Sequence, residues 1–215
     1  MSRTTPDAEL LIATGCAHCP AVLQALAELV KEGLIRELRV SNIVVDPSRA
    51  QELGVRTTPW TRIGPFTLPG NYSPKELRHW AEQAGSEAGI ADYIRSHLKD
   101  GQLAQIETFF SEQPEWLKVV IGLLEQEDLE IQVRLGLDAV LESLAGSDAL
   151  KQLVPEFSRL AEHDSAQIRG DATHYLALSG DPAVRPQLEK RLEDDSPEIR
   201  EIAREGLDHL AATSN

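Results

Sequence analysis

Three segments in the second half of this 215-residue chain align on one another, and that repetition constrains the fold more than any other feature. They are EIQVRLGLDAVL (130–141), SAQIRGDATHYL (165–176) and SPEIREIAREGL (196–207). Each holds a β-branched residue followed by arginine: Val133-Arg134, Ile168-Arg169 and Ile199-Arg200. Three residues past the arginine stands Leu137, Ala172 or Ala203, and seven past it Leu141, Leu176 or Leu207. Offsets of three and seven return to one helix face. The segments recur after 35 and 31 residues, a period that reads as stacked helix pairs, none able to bury its apolar face alone. Partner helices are expected at 114–125, 149–162 and 183–193, and a less regular pair at 88–99 and 102–111. The three arginines read as structural, bonding within or between repeats. Asp194-Asp195 reads as a solvated turn capping the last helix, and the five histidines from His79 onward as surface or packing residues.

The first part of the chain follows another rule. Glu9 to Ala13 reads as a short buried strand, and Val22, Leu23, Leu26, Leu29 and Val30 recur at helical spacing until Gly33. Leu34 to Val45 is rich in β-branched residues and leucine and reads as a second strand. Asp46-Pro47-Ser48 opens a short helix over Arg49 to Leu53. Trp60–Ile63 and Phe66–Leu68 form a hairpin around Gly64-Pro65. Ser73-Pro74-Lys75-Glu76 is a capping box with Pro at N1, opening a helix to about Ala84. The order β-α-β-α-β-β-α ends before a small-residue stretch at 85–89, which divides the chain into domains at 1–85 and 86–215.

Charge divides it in the same place. Residues 1–85 hold nine Lys/Arg and nine Asp/Glu, whereas 86–215 hold twelve and twenty-six, the whole of the net −14. An acidic second half repels phosphate backbones, so nucleic acid is not an expected partner and basic or apolar protein surfaces are. No apolar run approaches the ~18 residues of a spanning helix, and the N-terminus lacks a signal-peptide core. A cytoplasmic, non-membrane protein is expected.

Cys16 and Cys19 are the only cysteines. A close pair in a cytoplasmic chain points to redox or metal chemistry, not to a disulfide framework. Cys16-Ala17-His18-Cys19 falls between a strand and a helix. There the free N–H groups and dipole of a helix start favour the thiolate, the form that attacks a disulfide. Cys16 is then the nucleophile, Cys19 the residue that resolves the mixed disulfide, and His18 a tuning group beside the thiolate. The rival readings are a metal site, since CAHC also occurs in small copper-binding modules, and His18 as a mere spacer.

The CAHC pair after a strand, VVDPSRAQELGVRTTP, and the hairpin and helix beyond it resemble the thioredoxin superfamily over residues 8–84. The resemblance implies an α/β thioredoxin-like fold, a cis peptide between Thr58 and Pro59, and a Thr58 backbone that pairs with an extended substrate strand. Gly15 replaces the aromatic residue of thioredoxins proper, and Leu10 stands where they keep a buried acid. Trp60 follows the proline where a smaller residue is usual, and the extra N-terminal strand is missing. The phrase GDPAVRPQLEKRLEDDSPEIREIAREGL resembles a short HEAT repeat. That likeness covers about 100 residues and implies an all-α solenoid with a protein-binding surface and no catalytic residues. The resulting expectation is a thiol–disulfide oxidoreductase acting on a protein disulfide or dithiol, with a second protein partner on the acidic repeats. It needs no cofactor and no metal. The alternative is a non-enzymatic scaffold or redox sensor.

Overall fold

A computed structural model describes residues 5–213. The chain forms two compact units that divide between Tyr93 and Ile94. The first is built on a four-stranded sheet of order β2-β1-β3-β4. Strand β1 (Ala8–Ile12) runs parallel to β2 (Leu38–Asn42), antiparallel β3 (Trp60–Ile63) lies on its other side, and β4 (Phe66–Pro69) closes the hairpin. The central strand is apolar at four of its five positions, as a strand covered on both faces must be.

Alternation along the strands decides what each face carries. Leu10 pairs with Thr61 and Ile63 with Phe66 on one face, where the Phe66 ring packs at a tilt against Trp80 and Tyr93, centroids 5.0 and 5.1 Å apart. Trp80 comes from α3 (Pro74–Gln83), which packs beside α1 (Cys19–Lys31). Helix α1 turns Cys19, Val22, Ala25, Leu26 and Leu29 inward, the stripe its spacing predicts. Helix α3 begins with both halves of the predicted capping box, Ser73 accepting from the Glu76 N–H and Glu76 from that of Ser73. Tyr93, on α4 (Glu87–Lys99), donates its hydroxyl to the Thr67 carbonyl at 2.9 Å.

On the other face Leu11 and Trp60 pack with Ala50 of α2 (Ser48–Glu52), and Ile43, Leu53 and Val55 close over them. The second strand is shorter than its sequence suggests. Ile43–Val45 is β-branched enough for a strand, but the Asn42 side chain accepts from the Val44 N–H and folds the segment into a turn.

The second unit is helical throughout its described residues. The long helices α7 (Ile131–Ser143), α10 (Ala166–Leu178) and α12 (Pro197–Thr213) hold the three aligned segments, each apart from its first residue. Their partners are less regular than expected. One is a 3₁₀ turn at Pro114–Trp116 followed by α6 (Val119–Leu124), after α5 (Leu103–Glu112). The next splits into α8 (Asp148–Lys151) and α9 (Val154–Leu160), and the last into a turn at Pro182–Val184 and α11 (Arg185–Arg191). Pro155 and Pro186 lie in the first turns of α9 and α11, where a missing N–H is tolerated, and each marks a fresh helix start.

Two glycines allow close approach. A Cβ on Gly136 would lie 2.8 Å from Leu98 Cδ2, and one on Gly206 would lie 2.6 Å from Ala177 Cβ. The arginines bond within and between the repeats, as expected. Arg134 bonds Asp171 and the Gln126 carbonyl. Arg169 grips Asp194 with two bonds of 2.7 and 3.0 Å and also donates to the His163 carbonyl. Arg200 donates to the carbonyls of Asp194 and Asp195. Asp194 is therefore no solvated turn residue: it is buried, it accepts from Arg191 and the Ser196 N–H as well, and only Asp195 is exposed.

Candidate functional site

The end of β1 delivers the chain to Thr14-Gly15, where Gly15 takes φ +83°, a left-handed conformation that a side chain would strain. The Cys16 N–H then bonds the Ala13 carbonyl, and the Thr14 hydroxyl accepts from the Asn42 amide at the end of β2. Cys16 and Cys19 are joined by a disulfide, their Cα atoms 5.5 Å apart.

Helix α1 starts at Cys19, with His18 in the N-cap position, so Cys16 lies ahead of the helix and not within its first turn. The electrostatic consequence survives that correction. The first amide of the helix, Cys19 N–H, donates to Cys16 Sγ at 3.2 Å. One of the donors a helix leaves unsatisfied at its start thus points at the sulfur expected to carry charge. Cys19 is 4% exposed, Cys16 is half-buried, and His18 is exposed and caps no helix N–H with its side chain. Pro20 occupies the second helical position.

The Thr58–Pro59 peptide is cis, as the family resemblance implies. Leu11 pairs with Trp60 and Ile12 with Asn42, so the loop after β1, the turn after β2 and the segment before β3 all leave the sheet at one end. Topology therefore gathers Cys16, His18 and Cys19 with Thr58-Pro59 at that end. Pro59 is buried and Thr58 half-buried.

Two features escaped the sequence reading. Val44 and Val45, in the turn after β2, are 64% and 81% exposed. Asn42, at the start of their turn, is bonded to Thr14 in the loop that leads to Cys16. Their β-branched character reads as strand in the sequence, and Asp46-Pro47-Ser48 after them as the opening of a helix. The second is a half-buried ion pair between β1 and α2. Glu9, on the central strand, accepts two bonds from Arg49, which holds its carboxyl below the ordinary range.

Fold and site together define an α/β domain with a cysteine pair at a helix start, joined in one chain to a helical repeat. Residues 8–82 match the family model described as a thioredoxin domain, and residues 117–208 match the model described as HEAT repeats, so a thioredoxin-like domain is fused to HEAT-like repeats. Among curated proteins, none matches the chain. Among the described residues, no helix is long and apolar enough to cross a membrane.

Proposed function

We propose that residues 1–85 catalyse thiol–disulfide exchange in the cytoplasm and that residues 86–215 bind a protein partner. In the reduced protein the Cys16 thiolate attacks one sulfur of a substrate disulfide. A Cys16–substrate bond forms, the substrate S–S bond breaks, and one substrate thiolate leaves. The Cys19 thiolate then attacks Cys16 Sγ, closes the Cys16–Cys19 disulfide and releases the second thiolate. The substrate gains two electrons and the pair loses two, to be restored by a dithiol reductant. His18 adds a cationic or hydrogen-bonding group beside the Cys16 thiolate. Thr58 offers backbone to an extended substrate chain at Pro59, and Val44-Val45 supply an apolar contact.

The observation that carries this reading is the bond from the Cys19 amide to Cys16 Sγ, with Cys19 buried and Cys16 open to approach. For the repeats the support is the HEAT match and their excess of acidic residues, which suits a basic surface. The test is turnover by the full chain, with dithiothreitol as donor. Bis(2-hydroxyethyl) disulfide is expected to be reduced by wild type and not by Cys16→Ser. Capture of a protein partner is expected to weaken with salt, since exposed charges are screened beyond ~8–10 Å at physiological ionic strength. Equal turnover by the two proteins would remove the redox reading, and salt-indifferent capture the role of the acidic repeats.

A further inference from the structure

Glu9 and Arg49 form a contact that stability alone does not explain. Arg49 Nε and Nη2 donate to the two carboxylate oxygens of Glu9 at 2.7 and 2.8 Å, and the Glu9 side chain is only 11% exposed. The Arg49 side chain is 32% exposed, and a half-buried ion pair commonly adds little to stability, because solvent screening and desolvation offset its attraction. What a two-pronged Arg–carboxylate contact does provide is fixed geometry.

The geometry it fixes is that of α2. Five residues are too few to hold a helix without tertiary support. On one side α2 rests on Leu11 and Trp60 through Ala50. Toward the start of β1 the sheet face opens into a cleft of about 380 Å³ lined by Glu9, Arg39, Arg49 and Arg62, and there the Glu9 fork holds the helix. Both ends of α2 lead toward the cysteines. Upstream runs the turn bearing Val44 and Val45, downstream the segment Leu53–Thr58 that ends at the cis proline. The Val44-Val45 turn and the Thr58-Pro59 segment are separate stretches of chain joined through α2.

We propose that Glu9 and Arg49 are positioning residues for substrate binding: they seat α2 so that Val44-Val45 and Thr58-Pro59 form one substrate-facing rim around Cys16. Neither takes part in the sulfur chemistry. The proposal rests on the exchange reading above, and a pair of substrates separates the two. Bis(2-hydroxyethyl) disulfide reaches Cys16 without an extended chain, whereas an insulin disulfide lies in one.

The experiment compares full-length wild type, Glu9→Gln and Arg49→Lys on both substrates, with dithiothreitol as donor. In Glu9→Gln the KM for insulin is expected to rise about threefold or more at unchanged kcat, the pattern of lost binding that chemistry does not share. Turnover of the small disulfide should stay at the wild-type rate, and amide exchange should quicken over residues 43–58. Arg49→Lys keeps the charge but loses the fork, so it should lie between. An unchanged insulin KM in folded Glu9→Gln, or an equal loss on both substrates, would overturn the proposal. If Glu9→Gln does not fold, an Arg49→Lys protein with wild-type KM overturns it as well. Wild type inert toward the small disulfide overturns the exchange reading itself, and this proposal with it.

Discussion

The Cys16 sulfur sits where α1 presents its first amide, and Cys19 sits beneath it, closed off by the packing of α1. The reduced Cys16 thiol is therefore expected to titrate below the free value of ~8.5, inside the ~3.5–7.5 range of cysteines at helix starts. Thiolate absorbance against pH measures this directly, and an apparent value near 9 would speak against Cys16 as nucleophile. A different balance governs Asp194. Its side chain is 3% exposed and that of Arg169 is 14% exposed, and the Arg169 bonds hold the Asp194 carboxyl below its ordinary value of 3.8. A lowered carboxylate pKa contributes stability that is fully present above the unfolded value and lost as pH falls through the folded one. Asp194→Ala should thus destabilise the repeats by about 3–5 kcal/mol near pH 7, since it leaves arginines buried without their carboxylate. The deficit should shrink below pH 4. Urea unfolding at pH 7 and pH 3 checks both, and an equal deficit at the two values would show that the ion pair is not its source.

Among the elements, those with strong local signals were legible in the sequence. The apolar stripe of α1, the capping box of α3 and the hairpin at Gly64-Pro65 all stand where pattern and turn chemistry put them. The long repeat helices were readable because their apolar residues return at fixed offsets. What escaped depends on contacts between distant residues. Val44 and Val45 have strand composition, yet one Asn42 side chain turns the segment away. The broken partner helices follow from prolines whose position in a first turn is evident only once the turn exists. The Gly136 contact with Leu98 and the Glu9–Arg49 pair join residues about forty positions apart, which no periodicity reports. Tyr93 is a further case, a ring on α4 locked between Phe66 and Trp80 and bonded to the Thr67 carbonyl. Tyr93→Ala is expected to destabilise the first unit by about 3–5 kcal/mol. Tyr93→Phe keeps the ring and should cost about 1 kcal/mol for the lost hydrogen bond. Denaturant unfolding followed by tryptophan fluorescence distinguishes the two, and an alanine variant as stable as the phenylalanine one would mean the ring packing contributes little.

For the molecule as a whole, two kinds of surface share one chain. The thioredoxin domain is electrically neutral and gathers two cysteines, a cis proline and an exposed valine pair at one end of its sheet. Residues 86–215, which include the HEAT-like repeats, carry the excess negative charge, and Arg134 and Arg169 link neighbouring repeats. In the proposed function, chemistry belongs to the first part and partner recognition to the second. The claim on which everything else depends is that Cys16 attacks and Cys19 resolves. Intact mass of the full-length Cys19→Ser protein, reduced and then exposed to a disulfide-bonded peptide, tests it most directly. The expected result is one peptide adduct, mapped to Cys16, that persists in Cys19→Ser while wild type sheds it and returns to the Cys16–Cys19 disulfide. A Cys19→Ser protein that gains no adduct at Cys16, or a wild type that keeps its adduct as long, would contradict the account.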